Sequence, residues 1–178
     1  MDRRRFIVGL LSFAGATLAG CGGGHTPGDA LFTLATGRAW LYSVTGTVTL
    51  PASLGGGTQN LQHPDLPEVE AIFWTSPGKN TTSVGQARLQ LAHQLIAAQI
   101  NSCVVGTTSA AIAQMISDAV AALDGIDTAK MNTLTGQLDT FNTSGDSKSL
   151  PNGLKEFKAD ANGSKTLANP AGPGPGFK

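Results

Sequence analysis

The sequence predicts a mainly α fold: a small domain of about four helices with a short β-strand segment at its N-terminal side. Three observations predict it. Apolar residues recur at helical spacing through the middle of the chain. Residues that start and stop helices frame those stretches. The one clean alternation of apolar and polar side chains lies ahead of them, in a run of about seven residues.

That run is Val44-Thr45-Gly46-Thr47-Val48-Thr49-Leu50. It sets Val44, Val48 and Leu50 on one face and the threonines on the other, the signature of a half-buried strand. Upstream, Leu31 to Ala35 and Ala39 to Ser43 read as further short strands turning at Thr36-Gly37, and Pro51 to Gly57 reads as a turn or loop. Asp65-Leu66-Pro67-Glu68 opens a first helix, with an N-cap, a proline in the first turn and acidic residues near the positive helix end. Val69, Ile72 and Phe73 share its inner face, and Ser76-Pro77-Gly78 closes it.

A second helix runs from Ser83 to about Ser102. Val84, Ala87, Leu91, Leu95 and Ala98 form a stripe that Leu89, Ala92, Ile96 and Ile100 widen past half the circumference. This is the expected central helix. In the third, Ile112, Met115, Ile116, Ala119, Val120 and Leu123 face inward opposite Gln114 and Asp118, and Asp124-Gly125 stops it. Asp127 starts a fourth, with Met131, Leu134, Leu138 and Phe141 inward and Gly136 costing about 1 kcal/mol of helix preference. Asn142 to Asp146 ends it. From Ser147 the chain is polar and runs into a Gly/Pro-rich stretch, so 147–178 reads as a disordered tail.

The charge balance excludes one partner class. Formal net charge is zero, and setting aside Asp2 and Arg3 to Arg5 leaves about −2. Lys130, Lys148, Lys155, Lys158 and Lys165 are too dispersed to form the clustered basic face that nucleic acid needs. Two cysteines, Cys21 and Cys103, do not suggest a pair, because Cys21 has another use.

Met1 to Arg5 is short and basic, and Phe6 to Gly20 is apolar. About fifteen residues are too few to cross a bilayer of about 30 Å but suit a signal-peptide core. Leu18-Ala19-Gly20-Cys21 resembles the bacterial lipobox, in which small residues precede a cysteine. The resemblance implies a lipid on the Cys21 thiol, cleavage before it and acylation of the new N-terminus. Each buried CH₂ is worth about 0.8 kcal/mol, so two or three acyl chains hold where one is marginal. The domain plan follows: 1–20 signal peptide, 21–30 lipid-attached tether carrying Gly22 to Gly24, Pro27 and Gly28, 31–146 domain, 147–178 tail. Arg3-Arg4-Arg5-Phe6-Ile7 also resembles a twin-arginine export signal, with Asp2 where Ser or Thr is typical and Val8 where Lys is frequent. That resemblance implies export of the folded domain.

The stretch Leu91-Ala92-His93-Gln94-Leu95-Ile96-Ala97-Ala98-Gln99-Ile100-Asn101 is similar to an "LAHQLIAAKLN" helix in a group of uncharacterised secreted bacterial proteins. Those proteins also carry a threonine-rich strand before it and a helix like Leu134 to Asn142 after it. The similarity spans roughly Val44 to Asp146 and departs at Gln99 and Ile100. The Tyr-Trp-Lys-Asn-His-Pro segment common in that group is also missing here, where only Trp40 lies in the corresponding region. It implies an extracellular, mainly helical module and no activity.

A search for chemistry yields no reaction centre. His25 lies in the tether and His63 in a loop, and His93 reads as exposed on the polar side of its helix with Gln86 and Gln90. His63, Asp65, Glu68 and Glu70 match no zinc or calcium spacing, and an EF-hand aligned on Gly145 puts Thr140 and Pro151 where carboxylates are required. Ser76-Pro77-Gly78-Lys79 fits Ser-x-x-Lys without its companion motifs. Neither Gly55 to Gly57 nor Gly78-Lys79-Asn80 makes a phosphate loop, and Cys103 has no evident base partner, which reads as a buried thiol. No catalytic residue, metal or cofactor is therefore assigned.

The expected role is a lipid-anchored interaction or structural module of the cell envelope, outside the cytoplasm on the periplasmic face or cell surface. Its partners are the membrane through Cys21 and another envelope protein or polysaccharide. The interaction surface read from sequence is Trp40, Tyr42 and Trp74, aromatics being prominent in binding hot spots. The alternative is an envelope enzyme or small-ligand-binding lipoprotein whose site is assembled from scattered residues.

Overall fold

A computed structural model describes residues 47–54, 57–60, 67–76, 81–105, 109–144 and 160–178. Over these the chain is mainly α. Strands β1 (Thr47–Leu50) and β2 (Gly57–Asn60) precede five helices: α1 (Pro67–Trp74), α2 (Ser83–Val105), α3 (Ala110–Asp124), α4 (Thr128–Thr143) and α5 (Ala161–Leu167). One-turn 3₁₀ helices lie at Ala52–Leu54 and Pro175–Phe177.

The strands pair antiparallel, with Val48 opposite Gln59 and Leu50 opposite Gly57. Val48 and Leu50 are buried, as the alternation requires. The second strand begins where the expected Pro51 to Gly57 loop ends, in residues to which the sequence assigned no element. Its Gly-Thr-Gln-Asn sequence has little strand preference, so pairing with β1 decides its conformation.

Helix α2 is the axis of the domain: α4 and α3 pack along it, β1 and α1 lie against it, and the Pro175–Phe177 turn sits on it. Leu89, Leu91, Ala92, Leu95, Ile96, Ala97, Ala98 and Ile100 are all buried, which uses the wide apolar arc read from sequence. α3 starts at the Ser109 cap, whose hydroxyl accepts from Ile112 N, and it buries Ile116, Ala119 and Leu123. α4 starts at Asp127, whose carboxylate accepts from Lys130 N at 2.9 Å. Its Met131, Leu134 and Leu138 are buried and Phe141 is partly so.

The tail read as disordered from Ser147 onward is folded over residues 160–178. Asp160 caps α5 by accepting from Gly163 N at 2.8 Å. The backbone then turns at Asn169–Gly172, where Gly172 has φ 80°, and delivers Phe177 to the core at 3% exposure. The physical reason is long-range: a single aromatic and a set of backbone contacts anchor the segment without any apolar periodicity. At Gly85 an added Cβ would lie 2.7 Å from the Lys178 carbonyl oxygen, so the glycine permits that segment's close approach to α2. The signal peptide, the tether, the upstream strands and the stretch from 145 to 159 lie outside the described residues.

No helix among the described residues is long and apolar enough to cross a membrane.

Candidate functional site

The most unusual polar cluster lies between α1 and α5. Four residues apart on α1, Glu70 and Trp74 share a helix face, and Ser164 of α5 meets both. The indole Nε1–H of Trp74 donates to Ser164 Oγ at 3.0 Å, and the Ser164 hydroxyl donates onward to Oε2 of Glu70. A second link is backbone: Asn169 N donates to the Pro67 carbonyl at 2.9 Å. Lys165 stands with Nζ 5.7 Å from the Trp74 ring centroid.

Glu70 and Ser164 are both 0% exposed. Glu70 Oε1 has no hydrogen-bond partner among the described residues. Burial pushes the Glu70 carboxyl up to about 8, while the Ser164 hydrogen bond pulls the other way. Burial dominates because an ionised carboxylate loses its water and regains only one donor. At neutral pH Glu70 is therefore predominantly the protonated acid. With no solvent access, the pair holds its proton inside the α1–α5 contact.

Most other buried polar groups bond to the backbone or to one another, although Arg88 Nε and Ser102 Oγ have no hydrogen-bond partner among the described residues. His93 is buried, stacks on Phe73 with ring centroids 5.9 Å apart, and turns Nε2 to the Ile72 carbonyl. A carbonyl only accepts, so Nε2 carries the hydrogen, and the contact satisfies one of the carbonyls that the C-terminus of α1 leaves open. The exposed, polar-side reading of His93 is corrected: α1 lies over that part of α2. Gln99 behaves as a strand surrogate, accepting from Thr49 N at 2.6 Å and donating to Thr49 O at 2.9 Å. Arg88 donates from Nη1 to the Gly176 carbonyl and from Nη2 to the Gly125 carbonyl, both at 2.8 Å.

Of the residues singled out from sequence, Cys21, Trp40, Tyr42, His25, His63, Asp65 and Lys79 lie outside the described residues, as does the Cys103 side chain. Trp74 is half-buried and engaged by Ser164 and Lys165, so it is not an open aromatic face. Glu68 is half-buried, and Ser76 is exposed without its Lys79 companion in view. No three His, Cys, Asp or Glu side chains gather to hold an ion among the described residues.

The sequence offered Glu70 only as a metal ligand, and Ser164 not at all. Glu70 carried a signal, since it stands among Val69, Ala71, Ile72 and Phe73 on a short helix that is apolar nearly all round. Ser164 carried none. No protein family, curated protein or solved structure matches the chain significantly.

Proposed function

We propose that this chain is a lipid-anchored protein of the bacterial cell envelope that acts by contact, as an interaction or structural module. The observation that carries the anchor is the order of parts in the sequence: a basic start, an apolar run and Leu18-Ala19-Gly20-Cys21. The arginines before Phe6 favour twin-arginine export, which carries the domain across already folded. Lipid on Cys21 then holds it at the membrane, on the periplasmic face or cell surface, with Gly22 to Gly24 as the start of a tether.

The contact reading is supported by how the domain spends its polar groups. Hydrolysis or group transfer needs a nucleophile or activated water, a base and charge-stabilising donors converging at about 3 Å on an accessible atom. Glu70, Ser164 and His93 are instead buried and bonded to other parts of the chain. Another envelope protein or a polysaccharide is the partner class, met through a surface to which Trp40 and Tyr42 contribute.

Mass spectrometry of membrane-extracted protein tests the anchor: the N-terminal fragment should begin at an acylated Cys21. A Cys21→Ala protein that is still processed and stays membrane-bound overturns it. Contact is tested by replacing His63, Ser76, His93 and Cys103 singly and scoring any phenotype of the deletion strain. Loss of function in one such variant, with fold and anchoring intact, overturns it.

A further inference from the structure

We propose that helix α5 is a proton-dependent latch: it docks on α1 while Glu70 holds a proton, and ionisation of Glu70 releases it. The geometry supplies the coupling. Glu70 lies wholly inside the α1–α5 contact, one oxygen faces Ser164 and the other has no partner among the described residues. That arrangement costs a neutral carboxyl less than a carboxylate, which has two charged oxygens to satisfy and one donor to satisfy them. Water is the remedy, and it reaches Glu70 when α5 lifts away.

The charged groups on the surrounding elements are committed elsewhere. Asp160 caps Gly163 N, and Lys165 lies over the Trp74 ring. On α2, Arg88 serves the Gly125 and Gly176 carbonyls and His93 meets the Ile72 carbonyl. The remaining acid of α1 is Glu68, which is half-buried. Among the described residues, burial and the Ser164 hydroxyl are what act on the Glu70 proton. The latch is also local, because Phe177 and Arg88 hold the far end of the segment to α2 independently of α5. Release bares both the Glu70 carboxylate and the Trp74 indole, so a face closed in acid becomes available in mild alkali.

The sign follows from linkage. Docked Glu70 titrates near 8 and released Glu70 near its ordinary 4.5, so the released state binds fewer protons between those values. The opening constant then rises up to about tenfold per pH unit across that window and levels off above it.

Hydrogen exchange on the full chain, corrected for the intrinsic pH dependence of exchange, reads this directly. In peptides covering 161–167 the opening constant should climb about tenfold per unit between roughly pH 5.5 and 7.5. In Glu70→Gln it should stay flat. A flat wild type, or a Glu70→Gln protein with the wild-type slope, overturns the latch. If Glu70→Gln does not fold, carboxyl carbon NMR of glutamate-labelled wild type decides. One glutamate titrating near 8 supports the latch, and all titrating near 4.5 overturns it.

Discussion

Asn101 on α2 donates from Nδ2 to Oδ1 of Asn142 on α4 at 2.9 Å, and both amides are buried. Asn142 in turn donates to the Gln94 backbone carbonyl at 2.9 Å and to Gln94 Oε1 at 2.8 Å. The helix pair is thus fixed in register by a small buried amide network. Such a network is costly when half broken, because each orphaned group keeps its desolvation penalty. Asn142→Ala should destabilise by about 2–3 kcal/mol, measured by denaturant unfolding. Asn101→Leu combined with Asn142→Leu should lose less than the two single changes added together, the mark of coupling.

Phe177 is the anchor of the C-terminal segment. Phe177→Ala should cost about 3–5 kcal/mol, the usual range for an aromatic removed from a packed core. The same unfolding measurement on a chain truncated before Asp160 should show a loss at least as large. A melting temperature unchanged by truncation would mean that the segment does not contribute to the core.

Two glycines should respond in opposite directions. Gly136 is exposed inside α4 with nothing within 4 Å of an added Cβ. Gly136→Ala should therefore stabilise by about 0.5–1 kcal/mol through helix preference. At Gly85 the added methyl would meet the Lys178 backbone carbonyl at 2.7 Å. Gly85→Ala should destabilise by about 1–3 kcal/mol through overpacking, and thermal melts of the two variants check the contrast.

Arg88 should not tolerate lysine. Its two terminal nitrogens reach carbonyls on different elements, Gly125 and Gly176, each at 2.8 Å. A lysine ammonium is a single point of donation and cannot span that fork. Arg88→Lys should cost about 1.5–3 kcal/mol, the range for a hydrogen bond to a charged group, with faster exchange at residues 175–178.

Glu70 makes stability depend on pH in the direction opposite to an ion-paired acid. Its folded value near 8 exceeds the ordinary 4.5. The folded state therefore binds more protons between these values, and stability falls as pH rises through the window. The limit is about 5 kcal/mol for that shift, capped by the free energy of docking α5. Unfolding curves at intervals from pH 5 to pH 9 should show the decline in wild type and its loss in Glu70→Gln. Ser164→Ala removes the one donor that favours ionisation, so the decline should begin at the same pH and extend to a higher one.

The elements that were legible in the sequence are those whose signal is local. α3 and α4 combine a strict apolar period with capping residues, and Asp127 caps as its position suggests. The missed features depend on pairing with other elements, near in sequence for β2 and distant for α5. The Gly-Thr-Gln-Asn strand exists through β1, and α5 through Glu70, Trp74 and Pro67. His93 looked exposed because its neighbours Gln86 and Gln90 are polar, yet a helix enclosed on most sides buries polar residues that find backbone partners. The candidate latch was half legible, in the acid among apolar neighbours on α1, and its serine was not.

Ser164 and Glu70 are 94 positions apart, and Thr82 and the Lys178 carbonyl that it contacts are 96 apart. Closing a loop of that size costs about 4 kcal/mol of chain entropy beyond the fixed term. That cost must be met before Phe177 returns any burial, whereas α2, α3 and α4 assemble through far shorter connections. The C-terminal segment should therefore seat after the rate-limiting step, on a helical scaffold already formed. Its contacts then govern how fast the protein comes apart and leave the speed of its assembly nearly untouched. That makes residues 160–178 a determinant of the folded domain's lifetime.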